Sequence, residues 1–300
     1  MGRFGKVLTA MITPFDKDGA LDLDVAAQLA NWLVDHGNDG LVIAGTTGES
    51  ATLTHDEQIE LVRTVAGAVD VPVIAGTGSN DTAAAIDLTE RATAAGADGI
   101  LVVTPYYNRP SQAGLLSHFQ AVAGATDLPV AVYDIPVRTG RKIETDILLE
   151  LAHDVDNIVG LKDAAGNPAE TAVFIAEAPA EFDVYSGDDN LSLPFISVGA
   201  TGVIGVATHW TGAEHQDMFA AIDKGDLAAA TAINQSLLQS FAFETGLDAP
   251  NPIPTKAMMR VIGIPVGHGR PPMDVEPPGT EEAARTVLAN TQLGAELGIS

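Results

Sequence analysis

The sequence predicts an α/β fold, a (β/α)8 TIM barrel with a C-terminal helical appendage. Eight short, β-branched, apolar runs recur along the chain, and helix-length amphipathic segments separate them. A doubly wound open sheet would usually show a glycine-rich turn after its first strand, and here "MITPFDKDG" stands in that place.

In order, the runs are "KVLTAMIT" from Lys6, "GLVIAG" from Gly40, "VPVIAG" from Val71 and "GILVVTP" from Gly99. Then come "PVAVYDIP" from Pro129, "IVGLKD" from Ile158, "FDVYSG" from Phe182 and "GVIGVA" from Gly202. They are almost continuously apolar, as strands covered on both faces must be. The intervening "SNDTAAAIDLTERATAAGA" reads as a helix opened by Ser79, Asn80 or Asp81 and closed near Gly96. The eighth unit ends near Gly225, so residues 1–225 form the barrel and 226–300 the helical region. In that region "DLAAATAINQSLLQSFAFETG" predicts one helix, and "APNPIPTKAMMRVIGIP" a proline-stiffened loop feeding another. "GHGRPPMDVEPPG" is a loop, and "TEEAARTVLANTQLGAELG" predicts a last helix.

Composition narrows the function. The 300 residues are 46% hydrophobic and 18% charged, which suits a full core. Forty Asp and Glu against 15 Lys and Arg give a formal charge of -25, a field that repels nucleic acid and anionic lipid. The chain has no cysteine, which excludes disulfides, zinc ribbons and thiol nucleophiles. The seven histidines show no metal-ligand spacing, so no metal is expected. No apolar run is long enough for a bilayer, and "MGRFGKVLTAMITPF" lacks a signal-peptide core; Lys6 stands where a myristoylation motif has Ser or Thr. The expectation is a soluble cytoplasmic protein.

Barrel enzymes work where strands end and βα loops begin. The second strand delivers "GTTGES", the fourth "TPYYNRP", the fifth "YDIPVRTG", the sixth Lys162 and the seventh "SGDD". Lys162 ends a buried run. A lysine held among apolar residues loses solvation of its charged form, its pKa falls, and the neutral amine can form a Schiff base with a ketone. Tyrosines nearby can shuttle protons, and threonines can hold a carboxylate. Other roles exist for each residue. Lys162 could point to solvent or pair with Asp163, and Thr46 and Thr47 could cap the next helix. Arg138 could pair with Asp134 or Glu144, while Tyr106 and Tyr107 could be interface aromatics.

From "LTAMITPF" through "GTTGES", "VTPYYNRP", "YDIPVRTG", "GLKDAAGN", "SGDD" and "GVIGV" to "NPIPTK", the chain resembles the dihydrodipicolinate synthases. These are also called 4-hydroxy-tetrahydrodipicolinate synthases and fall within the pyruvate-dependent class I aldolase superfamily. The likeness covers nearly the whole chain, in order and spacing. It implies that Lys162 forms an imine with pyruvate and that Tyr133 donates and accepts protons. It implies that Thr46 links Tyr133 to Tyr107 in a relay, with Tyr107 entering from a neighbouring subunit. Thr47 would help hold the pyruvate carboxylate, Arg138 would bind the carboxylate of aspartate semialdehyde, and Gly187 and Ile204 would supply backbone groups near the lysine. The implied reaction is condensation of pyruvate with L-aspartate 4-semialdehyde on the diaminopimelate route to lysine. It uses no cofactor beyond the imine, and the implied assembly is at least a dimer and commonly a homotetramer.

Arg138 chooses among substrates. Sialic acid lyases usually carry an apolar residue there and a "GSTGE" loop, whereas this chain has "PVRTG" and "GTTGES". The alternatives are an aldolase acting on a 2-keto-3-deoxy sugar acid, and a non-catalytic barrel that binds keto acids. Asp188 and Asp189 stand where barrels often bind phosphate, which argues against phosphorylated substrates and pyridoxal phosphate.

Two further expectations follow. Relatives inhibited by lysine bind it near positions matching Ser50, Ala51, His55, Gln58, Asn80, Ala84 and Tyr106, and strong feedback goes with histidine at Gln58 and glutamate at Ala84. Without that carboxylate the ligand ammonium loses a charged hydrogen bond worth about 1.5–3 kcal/mol, so lysine inhibition is expected to be weak or absent. Both substrates are anions approaching a chain of charge -25, so kcat/KM is expected to rise with moderate salt.

Overall fold

The computed structural model describes residues 2–299. Eight parallel strands close in sequence order. They are β1 (Val7–Ala10), β2 (Gly40–Ile43), β3 (Val73–Gly76), β4 (Gly99–Val103), β5 (Val130–Asp134), β6 (Ile158–Asp163), β7 (Asp183–Ser186) and β8 (Gly202–Gly205). Closure is made by β8 returning to β1, with Leu8 opposite Ile204. Every strand lies inside a run read from the sequence, and the barrel is the predicted fold.

The helices begin where short polar side chains can take up free N–H groups. Asp22 accepts from Val25 N, Asp81 from Ala83 N and Ser111 from Gly114 N. Thr54 opens the helix after β2 in a reciprocal cap with Glu57, so neither Thr46 nor Thr47 performs that task.

Strand periodicity sorts side chains into two cores. Leu41, Ile43, Val130, Val132, Leu161 and Val184 face outward and pack under the helices. Val42, Ala131, Tyr133, Tyr185 and Ile204 face inward and fill the barrel with Phe4, Leu8, Ile74 and Leu101. Since Leu161 faces outward, Lys162 must face inward, and Asp163 faces outward again. No described helix is long and apolar enough to cross a membrane.

After Gly225 the chain departs from the sequence reading in two places. The segment expected to be one helix forms two, Leu227–Ser236 and Leu238–Glu244, joined at Leu237. The turn lets Ala230 pack beside Met218 and Phe219 while Leu237 and Phe241 reach a separate core around Trp210. The last segment likewise divides, into Thr280–Leu288 and Gln292–Glu296, with Thr291 capping the second. Between these pairs lies the helix Ile253–Ile262. The C-terminal helices share buried surface with the barrel: Leu237, Phe241, Met258 and Leu288 cluster with Ala207 and Trp210 of the eighth unit. Each such side chain contributes about 1.5–3 kcal/mol by leaving water.

Candidate active site

Pairing of β5, β6 and β7 places Lys162 between Tyr133 and Tyr185. The Lys162 Nζ lies 4.5 Å from the centre of the Tyr133 ring. Only 5% of the lysine is exposed. Burial pulls its pKa down to about 8, against the pull of Asp188 and Asp189, whose charges favour the ammonium. At pH 7 roughly one amine in ten is then uncharged, against fewer than about one in a thousand for an ordinary lysine. Tyr133 is also buried, which pushes its phenol well above the usual range; the positive charge of Arg138 acts the other way. It is therefore a protonated phenol beside a partly neutral amine.

The alternating pleat separates Lys162 from the acid next to it. Asp163 turns outward, where Oδ2 accepts from Thr171 Oγ1 at 2.6 Å and Oδ1 from Ala165 N at 2.9 Å. Asp134 also turns outward, 3.9 Å from Lys142 Nζ, which reaches Glu170 at 2.8 Å. Burial lifts the Asp134 carboxyl to about 7. Neither outward acid is thus the partner of Lys162 or Arg138.

The remaining residues sit on the loops around the mouth. Thr46 and Thr47 follow β2; Thr46 is exposed, while Thr47 is buried and accepts from Asn251 Nδ2 at 2.8 Å. Arg138 stands on the short turn of helix Pro136–Thr139 after β5. With Thr46, Ile135 and Tyr106 it lines a cavity of about 400 Å³. Ser50, Ala51, His55 and Gln58 line the same cavity, but Asn80 and Ala84 do not. Gly187 N donates to Asp163 O at 2.7 Å, and a Cβ there would stand 2.7 Å from the Ala164 Cβ, so only glycine fits against the strand end. Ile204 is buried in the barrel interior with Tyr133. Tyr107 stands apart: it is 91% exposed and has a left-handed backbone, φ 72°. Among the described residues no cluster of three or more His, Asp or Glu side chains is arranged to hold a metal.

Sequence reading missed the residues behind the mouth. Glu49, closing "GTTGES", forms a buried ion pair with Lys256 at 2.6 Å, and its Oε2 accepts from Arg270 N at 2.9 Å. Glu244, ending a C-terminal helix, is buried, and burial followed by the charge of Asp189 pushes its carboxyl well above the usual range. No local pattern announces these contacts, because their partners lie in distant parts of the chain.

Comparison with known proteins identifies the family. The model of the dihydrodipicolinate synthetase family matches residues 3–290. The 4-hydroxy-tetrahydrodipicolinate synthase of Acidothermus cellulolyticus is 51% identical over 274 residues, 90% of this chain and 87% of its own. Among solved structures, the Cyanidioschyzon merolae dihydrodipicolinate synthase with lysine bound superposes with a TM-score of 0.95 at 41% identity, covering 98% of this chain and 100% of that one. A dihydrodipicolinate synthase of Bacillus anthracis gives 0.92 at 42%, covering 96% of this chain and 98% of that one. With a match that runs from the first strand into the last helices and a buried lysine at the end of β6, the chain belongs to the dihydrodipicolinate synthetase family.

Proposed function

We propose that this chain condenses pyruvate with L-aspartate 4-semialdehyde to 4-hydroxy-tetrahydrodipicolinate, with Lys162 as the covalent centre. The observation that carries the reading is the inward Lys162 amine, buried, depressed to about 8 and packed on the Tyr133 ring. The neutral amine attacks the ketone carbon of pyruvate, water leaves, and the protonated imine draws electrons from the methyl carbon. That carbon loses a proton and attacks the aldehyde of the second substrate; the α-amine of that substrate then adds to the imine carbon and expels the Lys162 amine, closing the ring and freeing the enzyme. Tyr133, with Thr46 against it, supplies and takes back the protons; Thr47 holds the pyruvate carboxylate. Arg138, at the edge of the cavity, receives the semialdehyde carboxylate. The backbone of Gly187 and Ile204 borders the imine, and the reaction draws on no cofactor.

Tyr107 completes the relay only if its exposed phenol reaches a neighbouring copy, which supports at least a dimer as the working unit. Of the seven positions tied to lysine feedback, Ala84 offers no carboxylate, and Gln58 Nε2 already donates to Ser50 O at 3.1 Å. That supports a weak response to lysine.

The test is a substrate panel. Wild type is expected to turn over pyruvate with aspartate semialdehyde and not with keto sugar acids, and borohydride with pyruvate is expected to label Lys162. Lys162→Ala should lose both turnover and label. Retained synthase activity in that variant overturns the assignment.

A further inference from the structure

The loop carrying Thr46 and Thr47 is tied from outside the barrel. Asn251 lies just ahead of helix Ile253–Ile262. Its Nδ2 donates to Thr47 Oγ1 at 2.8 Å, and its Oδ1 accepts from the buried Thr255 Oγ1 at 3.3 Å. Thr255 thereby sets which end of the amide faces the loop. The loop has little freedom of its own: Glu49 N donates to Thr46 O at 3.0 Å, and Thr13 Oγ1 donates to Gly48 O at 2.6 Å.

A threonine hydroxyl has one proton and two acceptor sites. The Asn251 amide occupies an acceptor site. Thr47 is 3% exposed, and no described residue accepts its proton. The hydroxyl therefore has a donor to give and an acceptor already engaged. A hydroxyl so placed suits an anionic oxygen, with which it makes a short, charge-assisted bond.

We propose that Asn251 is a positioning residue for the keto-acid carboxylate: by donating to the Thr47 hydroxyl, it reserves that hydroxyl's proton for the substrate. This rests on the reading above that Thr47 holds the pyruvate carboxylate. The Asn251 amide works through Thr47 rather than on the substrate. It acts by fixing the sense of one hydrogen bond, and it makes the C-terminal region a participant in substrate choice.

The experiment reverses that sense. Asn251→Asp is close in shape but replaces the donor with an acceptor, drawing the Thr47 proton away from the substrate. Asn251→Ser removes the donor without adding charge. Pyruvate KM is expected to rise at least about tenfold in Asn251→Asp and by a smaller factor in Asn251→Ser, with kcat in both within about twofold of wild type. The rise should persist at about 1 M salt, where simple repulsion between carboxylates is screened to about 3 Å. Borohydride trapping of Lys162 with acetone, which has no carboxylate, should be unchanged in both variants.

An unaltered pyruvate KM, a rise abolished by salt, or a parallel loss of acetone trapping overturns the proposal. Thr47→Val separates the two levels. If it raises pyruvate KM while neither Asn251 variant does, only the role of Asn251 falls. If it leaves KM unchanged, the assignment of the carboxylate to Thr47 falls first. Should Asn251→Asp fail to fold, Asn251→Ser decides by the same KM and trapping readouts.

Discussion

Two lysines are buried among the described residues, and they have opposite fates. Lys162, at the barrel mouth, and Lys256, where the C-terminal region meets the barrel, are both pulled down to about 8 by burial. Each lies over an aromatic ring, Tyr133 at 4.5 Å and Phe15 at 4.2 Å. The difference is a carboxylate. Lys256 holds Glu49 at 2.6 Å and donates to His268 O at 2.9 Å. Lys162 feels Asp188 and Asp189 only through space, and no described carboxylate is in ion-pair contact with it. Burial depresses both amines, but only the unpaired one keeps its nitrogen lone pair free to react. A depressed pKa therefore does not by itself identify a nucleophile.

The largest test of that contrast exchanges chemistry for stability. Lys162→Met is expected to lower synthase turnover by at least about 1,000-fold while leaving Tm unchanged or slightly raised, because it removes an unpaired buried amine. Lys256→Met should act in reverse. It strands Glu49 and is expected to cost about 3–5 kcal/mol, read as a fall in denaturation midpoint, and Glu49→Gln on top should recover part of the loss. A destabilised Lys162→Met, or a Lys256→Met as stable as wild type, breaks the comparison.

A smaller effect concerns the field around the mouth. The negative charge of Asp188 supports the ammonium form of Lys162, so Asp188→Asn should move the midpoint for borohydride trapping of pyruvate below 8. An upward shift contradicts the electrostatic account.

The smallest effect lies where Arg270 meets the helix after β2. Arg270 makes two contacts with Glu57, at 2.5 and 3.0 Å, and holds its carboxyl at about 2 against an ordinary 4.5. Because the folded value is depressed, this contact stabilises in full above about 4.5, and the stabilisation is lost as pH falls toward 2. Glu57→Gln should therefore reduce stability at neutral pH while making the acid limb of a stability–pH curve shallower. An unchanged acid limb would show that the contact contributes nothing in solution.

The same contrast marks how far the sequence was legible. All eight strands were, because strands covered on both faces leave unbroken apolar runs, and Lys162 was conspicuous for ending one. Lys256 was not. It sits on an amphipathic helix in "NPIPTK", where a lysine ordinarily faces water, and its partner Glu49 lies far back in the chain. Asn251 and Thr47 are 204 positions apart, and neither residue alone announces the other. The break at Leu237 was hidden for a different reason: leucine is a good helix former, and only the need to bury Ala230 and Phe241 in separate cores bends the chain there.

The late position of the tie has a consequence for biosynthesis. Asn251, Lys256 and Arg270 leave the ribosome after all eight strands, so a nascent barrel can close around its lysine before the loop bearing Thr47 has its outer support. The amine is ready first, and the proposed grip of Thr47 on the substrate's acid group arrives last.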